Sequence, residues 1–337
     1  MATAKPGTGD QGLWPKIKWP LAALALVLLF NGLFTAGFFQ VEIKDGRLYG
    51  SLIDVLNRAA PVMLLSLGMT LVIATGGVDL SVGAVMAIAG AIAALAIKSG
   101  QPLMVVLALS LGSAVLAGAW NGLLVCVLEV QPIVATLILM VSGRGIAQLL
   151  TQGQIITFSN RSFEFIGRGT FLELPFTITL VAGVLASLAW LTRKTALGLF
   201  IEASGNNETA ARYSGVHTRL IKLLVYAVSG FCAGLSGLIV AGDIKAADSN
   251  NAGLWLELDA ILAVVVGGSS LAGGRCYLLS SVAGAILIQT VTTTILRRGA
   301  AVEFTLVIKA LVIVVVCLLQ SEAFRNKVFP ARRKEAT

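Results

Sequence analysis

Residues 59–97 read AAPVMLLSLGMTLVIATGGVDLSVGAVMAIAGAIAALAI, and Asp79 is the one charged side chain among them. A helix rises 1.5 Å per residue and needs roughly 20 residues to cross about 30 Å of hydrocarbon. The stretch therefore holds two crossings, 59–78 and 80–97, separated where Gly76-Gly77 and Asp79 interrupt it.

Similar stretches extend both ways, at 19–41, 99–128, 130–151, 174–192, 223–242, 260–274, 276–296 and 304–321, with Arg144 and Lys309 intruding in two of them. Hydrophobic residues make up 57% of the chain and charged residues 12%, with a mean hydropathy of +0.89. An ordinary soluble domain carries roughly 25% charged residues. The bilayer is the expected solvent, and the pattern predicts an all-α membrane protein of about ten transmembrane helices. At least one helix is expected to be broken. Residues 260–274 are short for a full crossing and suit a half-helix, and Gly143-Arg144-Gly145 interrupts the fifth stretch. The organisation expected is an arm at 1–18, one transmembrane domain at 19–321 containing a loop at 193–222, and a basic tail at 322–337. The first apolar stretch is about 23 residues long and lacks a small-residue cleavage site, so it reads as a retained span.

Basic residues near span ends stay on the cytoplasmic side during insertion. The arm carries Lys5, Lys16 and Lys18, the loop carries Arg193, Lys194, Arg212, Arg219 and Lys222, and the tail carries Arg325, Lys327, Arg332, Arg333 and Lys334. Ten spans put all three on one face, with both termini cytoplasmic, while Arg297 and Arg298 would sit outside against the rule. The net charge of +8 is thus divided among short segments. No clustered basic and aromatic platform of the kind that binds nucleic acid is present. Cys126, Cys232, Cys276 and Cys317 show no CxxC spacing and lie in or beside apolar spans, so neither a disulfide framework nor a metal site is expected.

Gly76-Gly77, Leu80 and Gly83 recur at one constant offset as Gly267-Gly268, Leu271 and Gly274, each set preceding an Ala-Gly-Ala-Ile run. Duplicated halves are common in transporters, with binding near the repeat interface. Gly118 with Gly122, Gly230 with Gly234, and Ser229, Ala233 and Gly237 recur at helical spacing, the pattern by which helix backbones approach closely in a membrane. Pro132 suits the first turn of the fifth span. Arg144 is costly against lipid and is expected to face protein or water, as a gate residue or as an interhelical or snorkelling cation.

The loop contains Gly205-Asn206-Asn207-Glu208-Thr209-Ala210-Ala211-Arg212-Tyr213-Ser214-Gly215. It reads as a helix of about eight residues, roughly 12 Å long. Asn206 is the expected amino-terminal cap, Glu208 suits the positive end of the dipole, and Gly215 ends the turn. Such a segment can fill a groove on another protein, with Ala210 and Ala211 allowing close approach.

This loop, together with Tyr226, Ser229-Gly230, Ala233-Gly234 and Gly237, resembles the coupling region of the ribose, xylose and galactose class of ABC importer permeases. Three further blocks agree in order along residues 50 to 320: Gly68 to Ala84, Gln131 to Leu137, and Glu257 to Ile261 with Gly267 to Arg275. Within that class, Gly46-Arg47-Leu48, Ile53 to Pro61, Gly153-Gln154-Ile155 and Asp248 to Leu256 resemble the galactofuranose branch. The resemblance implies a multi-pass permease of a bacterial inner membrane that imports a monosaccharide by alternating access. It also implies a tandem ATPase, a periplasmic sugar-binding protein and a second permease subunit, identical or paralogous. The chain itself has no G-x-x-x-x-G-K-[ST] loop to cradle phosphate, so it is expected to bind no cofactor and to leave ATP to its partner.

On that reading Gly205, Asn206, Glu208, Ala210, Ala211, Ser214 and Gly215 engage the ATPase. Asn57, Asn121, Gln131, Thr136 and Arg144 are candidate lining residues of the passage, with interhelical hydrogen bonding the alternative for each. Asp248, Glu257 and Asp259 would form an acidic outer stretch for the binding protein. An ion-coupled transporter is the main rival, and it should carry carboxylates deep inside its spans. Asp79, Glu129 and Asp259 are expected at span ends instead. A membrane serine hydrolase around Ser269 and Ser270 would need a base, and the one histidine, His217, falls in the loop.

Overall fold

The computed structural model describes residues 14–35, 37–44, 47–299 and 302–320. Its helices are α1 (Trp14–Phe34), α2 (Ser51–Ala74), α3 (Val82–Lys98), α4 (Leu103–Cys126), α5 (Pro132–Thr151), α6 (Arg161–Arg168), α7 (Phe176–Lys194), α8 (Ala196–Asn206), α9 (Glu208–Tyr213), α10 (Thr218–Ile244), α11 (Leu256–Val266), α12 (Leu278–Arg297) and α13 (Val302–Gln320). Each of the ten apolar stretches contains one of these helices. Six of the helices, α2, α4, α5, α7, α10 and α12, are long and apolar enough to cross a membrane. Three short antiparallel pairs cap one end of the bundle: β1 (Val41–Lys44) with β2 (Arg47–Gly50), β3 (Ile156–Thr157) with β6 (Ala246–Ala247), and β4 (Thr170–Phe171) with β5 (Leu174–Pro175). The pair α8–α9 lies at the other end. The arm before residue 14 and the tail after 320 lie outside the described residues, and α1 already starts within the stretch expected to be arm.

Helix α2 is the central pillar, with 83% of its apolar window buried, against 17% for α7 and 22% for α4. Along α10, small residues meet neighbouring backbones. A Cβ on Gly118 of α4 would stand 2.3 Å from the Tyr226 carbonyl and 3.0 Å from the Gly230 Cα, and one on Gly230 would stand 2.3 Å from the Ala114 carbonyl. Lipid supplies no hydrophobic reason for helices to associate, so this close backbone contact does that work. The helical spacing of Gly118, Gly122, Gly230 and Gly234 is thus a packing device. Met104, Leu116, Val141 and Leu149 on α4 and α5 are exposed apolar side chains, as a surface in contact with lipid or another subunit allows.

One expectation is overturned and two are shifted in their bounds. Helix α5 runs unbroken from Pro132 to Thr151 through Gly143-Arg144-Gly145, with Pro132 in its first turn. The interruption sits between α10 and α11, where Lys245 (φ 56) ends one helix and Trp255 (φ 66) precedes the other. Helix α11 has 11 residues, about 16 Å at 1.5 Å per residue, half a bilayer core. It covers 256–266 and not 260–274, so the glycines at 267–274 form a turn. The first apolar stretch likewise stays helical only to Phe34 and then enters β1.

Replacing Gly118 by Val drives a branched side chain into the α10 backbone, a misfit that costs about 1–3 kcal/mol or more in a packed core. Thermal unfolding in detergent should show a lowered midpoint for Gly118→Val. Gly112→Ala on the same helix, where a Cβ meets nothing within 4 Å, should leave it unchanged.

Candidate functional site

The loop at 193–222 forms two helices in series. Thr195 accepts from the Leu197 amide (3.3 Å) and starts α8, which ends at Asn206. Asn207, extended at φ −156, accepts the Ala210 amide at 2.9 Å and caps α9. The cap is therefore Asn207. Asn206 belongs to the last turn of the preceding helix, so its side chain is not placed to serve the α9 amides. Gly215 (φ 86) ends the turn as expected, with the Gly215 and Val216 amides returning to the Arg212 and Ala211 carbonyls.

Glu208 ties this segment down. Arg212 Nη2 and Lys222 Nζ both donate to it at 2.6 Å, and Thr218 Oγ1 at 3.2 Å, which staples α9 to the first turns of α10. Burial pushes the Glu208 carboxyl up, but Lys222 and Arg212 outweigh it and hold the group below the ordinary carboxylate value, so the staple is charged at neutral pH. Ala211 is 6% exposed and packs on its own chain, contrary to the expectation that it enters a partner's groove. The outward face is Asn206, Thr209, Ala210 and Ser214 with Tyr213, which is 90% exposed and was not singled out from the sequence. Gly205 points the other way, against the end of α2.

A second polar centre lies inside the bundle. After α2 the chain turns at Gly76 and comes back through Val78–Ser81 into α3, which carries Asp79 to 1% exposure. Asp79 Oδ1 accepts from the Ser81 amide (3.0 Å) and hydroxyl (2.6 Å), and Oδ2 accepts from Ser229 Oγ of α10 (2.8 Å). Asn121 of α4 donates to Ser81 Oγ at 2.8 Å. The Val78 carbonyl accepts from Thr136 of α5 (3.3 Å) and Tyr226 of α10 (3.4 Å). Asn121 and Thr136 are fully buried clamps on this linker, which is the interhelical hydrogen bonding that stood as the alternative to a lining role. Asp79 ends a span in the sequence, yet the linker folds it back into the interior.

The third centre surrounds the segment between α10 and α11. Arg144 Nη1 donates to the Ser249 (3.1 Å) and Ala252 (2.5 Å) carbonyls, and Thr151 Oγ1 and Ser249 Oγ lie 2.6 Å apart. Glu257 is 3% exposed, and a Cβ on Gly83 would stand 2.5 Å from its Oε2. Asp259 pairs with Lys309 of α13 at 2.8 Å, both side chains below 15% exposure (14% and 13%). Asp248 closes its own turn by accepting from the amides of Asn250 and Asn251 (3.0 and 3.1 Å). Glu257 and Asp259 therefore offer no acidic surface, and the expectation that carboxylates stay out of the interior fails for Asp79, Glu257 and Asp259. Of the remaining candidate lining residues, Asn57 accepts from Thr177 Oγ1 (2.5 Å) in a cleft of about 490 Å³ at the β-capped end, beside Tyr49, Asp54, Arg168 and Arg297. Gln131 is exposed at the start of α5. The five do not form one continuous wall within the chain.

A family model described as "Branched-chain amino acid transport system / permease component" matches residues 51–317. The chain belongs to that family. It is the permease component of an ABC transporter, a transport subunit and not an enzyme. Over 325 residues, 96% of this chain and 95% of the relative, the permease is 56% identical to the galactofuranose transporter permease protein YtfT of Escherichia coli strain K12. It is 37% identical over 328 residues (95% and 92%) to the fructose import permease protein FruF of Bifidobacterium longum. The ribose import permease protein RbsC of Haemophilus influenzae is 35% identical over 300 residues (88% and 90%). In this permease the α9 segment and the interior polar centres fall within the matched region.

Lys309→Met leaves Asp259 buried without its cation, and breaking a buried pair in this way costs about 3–5 kcal/mol. The Asp259→Leu, Lys309→Met double variant removes both charges and should recover most of that loss. Thermal unfolding of the three proteins in one detergent checks the order.

Proposed function

We propose that this permease is the transmembrane passage of an ATP-driven importer that moves a monosaccharide, galactofuranose, from the periplasm to the cytoplasm by alternating access. What carries this reading is α9, a short capped helix with an exposed outer face, pinned to α10 by a doubly paired glutamate. A stiff, tethered projection of this kind can receive a push from a partner without unfolding. Asn206, Thr209, Ala210, Tyr213 and Ser214 form the docking face, Glu208 and Gly215 hold its shape, and Ala211 and Gly205 anchor it inward. ATP hydrolysis belongs to a partner subunit, as the family implies, and the resemblance to sugar importer permeases favours tandem nucleotide-binding domains in it.

The α9 end is the cytoplasmic one, in line with Arg193, Lys194, Arg212, Arg219 and Lys222, and both termini share that side. A periplasmic sugar-binding protein delivers to the β-capped end. The exposed apolar faces of α4 and α5 suit a second permease copy or a paralogue. The sugar class rests on the names of the three relatives, each a sugar permease, and galactofuranose on the 56% identity to one of them.

Tyr213→Glu and Ala210→Arg should lower sugar uptake about tenfold, an ordinary size for a lost coupling contact, while membrane insertion and thermal unfolding stay as in the parent. Uptake in proteoliposomes with the ATPase and binding protein checks this, using labelled galactofuranose against ribose and fructose. Unaltered uptake in both variants would remove α9 from the energising contact, and a preference for ribose or fructose would reassign the sugar.

A further inference from the structure

Three main-chain segments meet where α8 ends. A Cβ on Gly205 would stand 1.9 Å from the Ala74 carbonyl at the end of α2 and 2.7 Å from the Gly274 amide in the loop between α11 and α12. The Gly274 amide itself donates to the Ala74 carbonyl at 2.9 Å. A Cβ on Gly273 would stand 2.9 Å from the Gly76 amide and 3.0 Å from the Gly205 carbonyl. Gly76, Gly273 and Gly274 have φ of 81, 88 and 83, a region in which L side chains are strained. One turn back along α8, Glu202 Oε1 accepts from the Cys276 amide at 3.0 Å. The last turn of α8 is thus wedged between α2 and the loop that follows the half-helix α11. Docking of α9 on a partner needs none of this.

We infer that this junction is where displacement of α9 is passed into the membrane domain, to α2 and α11 together, with Gly205 and Gly273 as its positioning residues. The inference rests on the reading of the chain as an ATPase-driven permease. Only Asn207 separates α9 from α8, so a push on α9 arrives at Gly205 directly. There the contacts are backbone on backbone, leaving no side-chain rotamers to absorb the displacement, and close-packed matter transmits it. Both receiving elements then lead to buried polar groups. The end of α2 continues through Gly76 to Asp79, and α11 carries Glu257 and Asp259 in its first turn. Helices α2 and α11 also pack on each other beyond the junction, and Glu257 Oε2 of α11 lies against Gly83 at the start of α3. The glycine turns that recur along the sequence are the two receivers of one lever.

The test uses the full importer, reconstituted with its ATPase and sugar-binding protein, and reads sugar moved per ATP hydrolysed. In Gly205→Ala and Gly273→Ala this ratio should fall about tenfold and in Glu202→Ala about fivefold, within the usual range of coupling losses. Assembly with the ATPase and the rate of ATP hydrolysis should persist, because the outer face of α9 is untouched. Gly183→Ala on α7, where a Cβ meets nothing within 4 Å, should match the parent. If the glycine variants fail to accumulate, Glu202→Ala decides, as it removes one hydrogen bond and adds no bulk. An unchanged ratio overturns the inference, and so does a proportional loss of hydrolysis and uptake, which would make the junction part of docking. Parent uptake that ignores ATP overturns the importer reading and the inference with it, whereas ATP-dependent parent uptake with unchanged variants overturns the inference alone.

Discussion

Inside a bilayer no water is at hand for a peptide group that leaves its helix, so every interruption needs a partner from the protein. Among the described residues two interruptions lie at 75–81 and 245–255, and the same constraint explains the buried polar side chains gathered around them. At 75–81 the Val78 carbonyl is met by Thr136 and Tyr226, while Asp79, Ser81, Asn121 and Ser229 satisfy one another. At 245–255 the carbonyls of Ser249 and Ala252 are met by Arg144. Polar residues on α4, α5 and α10 are therefore braces for backbone, and Arg144 is tolerated at depth because two carbonyls await it.

Each brace joins elements that apolar packing alone would leave free to slide. Asp79 connects the α2–α3 linker to α4 and α10, and Lys309 connects α11 to α13. The outward face of α9, the wedge at Gly205 and these braces form one series from partner contact to bundle interior. A cavity or a single binding residue explains less of the chain than that series does.

The apolar stretches were legible because the hydrocarbon thickness imposes one length on every crossing, and all ten stretches hold a helix. The cap at Gly215 was legible too, since only glycine sits easily at its φ. What escaped the sequence depends on long-range geometry. Arg144 looked like a helix break because a charge among apolar residues signals cost without saying what offsets it, and the offset comes from Ser249 and Ala252, more than a hundred residues on. Glu257 and Asp259 looked like an exposed acidic stretch because a return of the chain into the bundle leaves no local mark on composition. Asn206 and Asn207 are adjacent and chemically identical, and only the preceding helix α8 decides which of them caps α9. Tyr213 carried no signal beyond its spacing of three from Ala210.

Movement is cheapest where structure rests on exchangeable polar contacts. Repacking α2 or α10 would separate backbones already in contact at Gly68, Gly118, Gly230 and Gly237, and packed cores switch between discrete arrangements without yielding gradually. Helix α11 is different. It is half as long as a crossing and is held at its first turn by Asp259 on Lys309. The Arg144 contacts steady the segment leading into it, and Glu257 is buried beside Gly83 of α3. The half-helix thus has a wedged glycine loop at one end and exchangeable polar contacts at the other, which makes it the element of this fold best suited to shift while the pillars around it stand.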